Sequence, residues 1–336
     1  MVRKMKKSLW APFIRLPDSM FTIMLDVLAV MVPLIIWGGY VYGPRSVLIV
    51  LLAMASAAVF DFAFTALVFR EFNLKDISSL ITGGLIGLSL PVAVPLWAPV
   101  LGSLIAIVAA KSLFGGIGRN IFNPAAVGIV ALYALFGRIM NVFTKPFVYF
   151  PALTMTLPQS LVKGNRVVTA LDSLKGGVVN TSAIMDDFYG LSPGTIGELS
   201  AFLLIIGFLY LVFRRVIRFN TAFAFAMTII VLSYFFSYAD CEPIDFIKLQ
   251  MFTGPTMLFM VFFLNDYATT PVTGSGKVLF AVLLGGAIVA VRYFGPAHYG
   301  EYIVLLALNP LSPIIEKFTF PRVFGTKILT QARDSL

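Results

Sequence analysis

The chain has 336 residues, 59% of them hydrophobic and 12% charged, where soluble domains carry roughly 25% charged residues. An interior of this size cannot hide so much apolar surface, which excludes soluble enzymes and disordered tails and makes lipid the solvent. The net charge of +9 lies in short basic clusters between hydrophobic runs, a topological signal with no basic face for nucleic acid, while a single cysteine, Cys241, and a single histidine, His298, exclude a disulfide framework and an iron–sulfur or zinc site built by this chain alone.

In chain order the first element is a cytoplasmic segment over residues 1–20. Its basic start is followed by Pro12, Arg15, Pro17 and Asp18 before any long apolar run, so it does not read as a cleavable signal peptide. A membrane helix needs about 20 mainly apolar residues. Runs near 21–42, 46–69, 77–95, 97–113 and 121–137 predict a first five-helix repeat over 21–137. A long outer loop spans 138–196. Runs near 197–213, 220–238, 250–267, 278–294 and 301–317 predict a second five-helix repeat over 197–317, followed by a cytoplasmic tail over 318–336.

With the N-terminus in the cytoplasm most of the 25 basic residues fall on that side, Lys111, Arg119, Arg214, Arg215 and Arg218 among them. Those outside are mainly Arg138, Lys145, Lys163, Arg166 and Lys175, in a loop too long to carry topological weight. The expected fold is an all-α integral membrane protein of about ten transmembrane helices. Short echoes relate the halves: Leu67 to Arg70 recurs as Leu211 to Arg214, Ile81-Thr82-Gly83 as Phe252-Thr253-Gly254, and Asn123-Pro124 as Asn309-Pro310. Five spans per half would invert one copy against the other.

Pro and Gly within the apolar runs predict broken or re-entrant segments, whose freed backbone groups must be buried in protein or line a cavity. They fall at Thr82-Gly83-Gly84, Pro91, Pro95 and Asn123-Pro124 in the first half, and at Thr253-Gly254-Pro255, Thr270-Pro271 and Asn309-Pro310 in the second. Each is equally readable as a kink or a helix start, since proline suits the first helical turn. Acidic residues in apolar runs are Asp26, Asp61 and Asp266. At the bilayer centre such groups cost at least ~2.5 kcal/mol and are normally paired, hydrated or functional. Asp26 is close enough to a span end to reach the interface, whereas Asp61 and Asp266 are candidates for an ion pathway or for interhelical hydrogen bonding.

In the outer loop, Lys163-Gly164-Asn165-Arg166-Val167-Val168-Thr169-Ala170-Leu171-Asp172 is the most distinctive segment. By chemistry alone Thr169 is an ordinary turn residue. Gly115-Gly116-Ile117-Gly118 lacks the Lys and Ser/Thr of a nucleotide loop, and one histidine makes no triad, so redox work would need a borrowed cofactor.

The stretch from Lys111 to Gly128, KSLFGGIGRNIFNPAAVG, closely resembles the signature of the D subunit of Rnf electron-transport complexes and of its relative, the B subunit of the sodium-pumping NADH:quinone oxidoreductase. Three further segments agree in order: Phe13-Ile14-Arg15 with Ile23 to Val27, Pro193 to Ser200, and Asn265-Asp266-Tyr267-Ala268-Thr269-Thr270-Pro271-Val272-Thr273. The resemblance covers nearly the whole chain. It implies a flavin-bearing membrane subunit of two inverted halves in a cytoplasmic membrane, both termini cytoplasmic, that helps couple ferredoxin-linked electron flow to sodium or proton movement. Its partners would be iron–sulfur, flavin-bearing and small membrane subunits.

The resemblance also implies FMN esterified through its phosphate to a threonine in the outer loop, and Thr169-Ala170-Leu171 with Leu174-Lys175 points to Thr169. The left side of the motif departs from the pattern. Lys163 stands at the acidic position, Arg166 at the Ser/Thr position, and Val167 and Val168 at the small ones; Thr181 is the next hydroxyl, in poorer surroundings. A second, noncovalent flavin, riboflavin, is implied for the membrane interior, with Asn123, Pro124, Asp266 and Thr270 the places to look. Alternative readings are a redox-silent transporter or channel subunit, and the quinone-reductase relative, whose usual long N-terminal extension has no counterpart here.

Overall fold

A computed structural model describes residues 19–69, 77–116, 118–153, 167–177, 184–237, 241–296 and 298–320. The N-terminal basic cluster, Arg70, Lys75, Lys163, Arg166, Thr181 and residues 321–336 of the C-terminal tail lie outside the described residues. Every regular element among those described is helical. The first half holds α1 (Met20–Tyr42), α2 (Pro44–Phe64, continuing in π geometry over Thr65–Phe69), α3 (Ser78–Leu88), α4 (Trp97–Leu104, continuing in π geometry over Ile105–Ser112) and α5 (Pro124–Met140). Two short helices follow in the outer loop, α6 (Ala170–Lys175) and α7 (Ile184–Tyr189). The second half holds α8 (Ala201–Phe213), α9 (Phe219–Phe235), α10 (Pro243–Phe252), α11 (Thr256–Val261), α12 (Gly274–Phe294), α13 (Gly300–Leu308) and α14 (Ser312–Thr319).

Among the described residues three helices are long and apolar enough to cross a membrane, and α10 with the segment Thr256–Asn265, bent by 64° at their junction, forms a broken span or a re-entrant loop. The remaining apolar helices are shorter, because the sequence interrupts them. Large apolar side chains such as Ile36, Val59, Phe213, Phe235 and Phe294 stand exposed on the outside, as expected where lipid replaces water.

Without a hydrophobic difference between core and lipid, helices associate through close packing. A Cβ at Gly83 would lie 2.4 Å from the Ala53 carbonyl oxygen, so the glycine lets α3 press onto the backbone of α2. This corrects one expectation. Thr82, Gly83 and Gly84 lie inside the unbroken helix α3, and the real break runs over residues 89–96, where Pro91 and Pro95 deny the helix its amides. The second-half break is where it was expected: Gly254 sits at φ +64° between α10 and α11, a left-handed conformation that favours glycine. Asn123 N-caps α5 through a bond from the Ala126 amide, with Pro124 in the first turn, so this pair is a helix start rather than an interruption.

Candidate functional site

Each break leaves carbonyls unpaired inside the bundle, and each is closed by a buried arginine. Arg45, at the start of α2, donates from Nε to the Val92 carbonyl at 3.0 Å and from Nη2 to the Val94 carbonyl at 2.8 Å. Arg292, on α12, reaches the other break, donating to the Gln250 carbonyl at 2.6 Å, the Gln250 Oε1 at 2.9 Å and the Thr253 carbonyl at 2.8 Å. Its charge is matched by Glu301 on α13, 2.7 Å from Nε and fully buried. Guanidinium suits the role because five fixed donors satisfy several acceptors at once. Sequence reasoning saw only topological charge here; the available signal was an arginine within each half's apolar helices.

The structure brings the two Asn-Pro motifs together. Asn123 Nδ2 donates to Asp266 Oδ2 at 2.8 Å, and with its amide correctly oriented Asn309 accepts from the Asn123 backbone N at 2.8 Å. Asp266 is held further by the Thr269 hydroxyl at 2.7 Å and the Ala268 amide at 3.2 Å, while the Thr270 hydroxyl donates to the Asp266 carbonyl. Thr270 thus shapes the turn from behind. This junction borders a cavity of about 210 Å³, walled by Ile23, Leu85, Ile217, Val261 and Phe262 and reached by Asn120, Asn123, Asp266 and Lys111. Mostly apolar walls with a few converging polar groups suit a small organic ligand. Among the described residues Asn120 Oδ1 is buried without a hydrogen-bond partner, an acceptor that a ring imide N–H would satisfy. The residues present therefore fit a noncovalent flavin.

Asp61 has a different neighbour. Lys111 Nζ lies 2.9 Å from its carboxylate, with side-chain exposures of 3% and 14%. Lys111 is consequently an internal counter-ion, not the interfacial charge its place in the sequence suggests. Asp26 accepts from the Tyr210 hydroxyl at 2.8 Å and pairs with Arg214 at 3.1 Å, tying α1 to α8.

A much smaller cavity, about 20 Å³, is lined by Thr169, Asp187, Gly194, Glu198, Gly254 and His298. Here Thr169 is 3% exposed and N-caps α6. Its hydroxyl donates to Asp172 Oδ2 at 3.0 Å and accepts from the Asp172 amide at 3.1 Å; the Thr169 amide donates to the same carboxylate at 3.3 Å. Asp172 Oδ1 faces His298 Nε2 at 3.1 Å. Burial alone would raise the Asp172 pKa, but the hydrogen bond and charge of His298, with the bonds from Thr169, hold it at about 2. A phosphoester on this oxygen would meet a fixed carboxylate and remove the proton that carboxylate accepts, so the residues present do not fit a covalently attached FMN.

Burial pushes the neighbouring Asp187 up to about 6, Asp186 adding to the rise and Ser192 opposing it. Since the folded value lies above the ordinary 3.8, the carboxyl costs no stability below about pH 4, and the cost grows from there and is complete above about pH 6. Asp187→Asn is expected to leave stability unchanged in acid and to raise it by about 3 kcal/mol above neutrality. Thermal midpoints of the detergent-solubilised protein at both ends of that range check this; an equal shift at both would contradict it.

Apolar helices with lipid-facing side chains, broken at two places that buried arginines close, define a multi-pass helical membrane protein. The chain belongs to the NQR2, RnfD, RnfE family, whose model matches residues 8–325. It is 30% identical over 327 residues to the D subunit of the Na(+)-translocating ferredoxin:NAD(+) oxidoreductase complex of Acetobacterium woodii, with 96% of each chain covered. It is 28% identical to the D subunit of the proton-translocating ferredoxin:NAD(+) oxidoreductase complex of Clostridium ljungdahlii, with 94% of this chain and 95% of that one covered. The D subunit of the ion-translocating oxidoreductase complex of Halorhodospira halophila is 30% identical, with 94% of each chain covered.

Proposed function

We propose that this chain is the flavin-bearing membrane subunit of an Rnf-type oxidoreductase complex that couples ferredoxin-linked electron transfer to sodium or proton translocation. The observation that carries this reading is the cavity at the clasp of Asn123, Asp266 and Asn309, built where family-like motifs from both halves converge. In this reading the two five-span halves are inverted copies, the termini face the cytoplasm, and the complex supplies nicotinamide-binding, iron–sulfur, flavin-bearing and small membrane subunits. The relatives named for sodium and for protons are similarly close, so the ion is left as either.

A flavin bound in the cavity would supply one- and two-electron transfer. Asn120 and Asn123 would orient its polar edge, and Leu85, Val261 and Phe262 would exclude water from its ring. Asp266 is held at the cavity edge by the neutral donors of Asn123, Ala268 and Thr269, so it is the acid suited to bias a moving cation. Asp61, neutralised by Lys111, is suited to fixing α2 against the end of α4. Ala268 lines the cavity from the loop, so Ala268→Trp should fill it. The expected result is an assembled complex with one equivalent less acid-extractable flavin. Unchanged flavin content would place the cofactor elsewhere.

A further inference from the structure

We propose that Thr169 stays unmodified in this subunit, its hydroxyl serving as a structural cap that binds Asp172, so that any flavin the chain carries is noncovalent. Attachment would replace the Thr169 O–H bond with an O–P bond and place an anionic diester there. The geometry opposes each part of that change. The oxygen is buried and already bonded in both directions to Asp172, as donor to its carboxylate and as acceptor from its amide. The carboxylate also takes the Thr169 amide, so it fills the position at the start of α6 that phosphate oxygens would occupy.

Asp172 is itself fixed from behind. His298 holds its second oxygen, and the imidazole packs against the Phe143 ring with centroids 4.4 Å apart. Moving Asp172 aside to admit an ester would also unseat the only histidine of the chain. The cavity compensates little, since Asp187 and Glu198 line it with further acidic groups and the His298 in its wall is already bound to Asp172. The sequence supplies an independent observation: Lys163, Arg166, Val167 and Val168 replace the acidic, hydroxyl and small residues that precede an attachment threonine in the family the chain resembles. A site closed in space and altered in recognition sequence points one way twice.

The inference rests on the flavin-bearing reading only for the word noncovalent, and peptide mapping tests the closed site by itself. Trypsin releases the peptide from Val167 to Lys175, bounded by Arg166 and Lys175. From the native complex it should appear at its unmodified mass, and the denatured subunit should give no flavin fluorescence in a gel. An FMN-bearing form of that peptide would overturn the proposal. In the assembled complex, Thr169→Val and Asp172→Ala should each lower the thermal midpoint, the double variant falling no further than the worse single one, with flavin content unchanged throughout. A Thr169→Val complex that lost flavin at an unchanged midpoint would also overturn it.

Discussion

Replacing Arg292 with alanine is expected to prevent the subunit from accumulating in an assembled complex. The substitution removes the donors from two backbone carbonyls and the Gln250 amide oxygen, and leaves Glu301 buried without its ion-pair partner. Breaking a buried pair by deleting one partner costs about 3–5 kcal/mol, because the remaining charge stays desolvated. The lost carbonyl bonds add to that, each buried unsatisfied group being worth about 1–3 kcal/mol. Together these approach the whole stability of a typical domain, about 5–15 kcal/mol. Arg292→Lys keeps the charge but not the fork of donors, so it should fall between the alanine variant and the native protein. Subunit recovered after detergent extraction reads the series; native recovery of Arg292→Ala would show that the break between α10 and α11 is held by something else.

The second large effect is expected at Asp266. The carboxylate accepts from Asn123, Thr269 and Ala268, and it is the acidic group on the cavity wall that has no cationic partner among the described ion pairs. Asp266→Asn keeps the size and part of the hydrogen bonding while removing the charge. Folding and flavin content should therefore survive, whereas ion movement should fall by an order of magnitude or more, about 1.4 kcal/mol of lost ion stabilisation for each tenfold. Asp61→Asn should behave differently. It removes the carboxylate paired with Lys111, which is 3% exposed, so its effect should appear in stability, with ion uptake per electron unchanged in whatever complex forms.

Why one acid and not the other was invisible in sequence is a matter of distance along the chain. Asp61 and Lys111 are 50 positions apart, and a lysine at the end of an apolar run reads first as a topological signal. The same ambiguity hid Arg45 and Arg292, whose acceptors are carbonyls that exist only because neighbouring helices are broken. The breaks themselves were partly legible, since proline and glycine act locally. Thr253-Gly254-Pro255 marks the bend between α10 and α11, but Gly83 and Gly84 looked the same and serve close helix packing instead. The apolar runs located the helices well, while the merged span expected over 250–267 is only the second arm of a bent pair that starts at Pro243.

The candidate site divides in the same manner. Asn123, Pro124, Asp266 and Thr270 were found as motifs, and the fold brings Asn123 and Asp266 into contact across 143 positions. Nothing local announced that Asn309 would close the clasp from the other Asn-Pro pair. In the outer loop the departures around Thr169 were visible, but the capping box with Asp172 and its link to His298 were not, because His298 lies 126 positions away.

The most direct measurement is ion uptake by membrane vesicles carrying the Asp266→Asn complex, recorded together with electron transfer from reduced ferredoxin. The account predicts that electron flow and bound flavin persist while uptake per electron collapses. Uptake at native stoichiometry would contradict it and leave Asp266 as a hydrogen-bonded strut between the two halves.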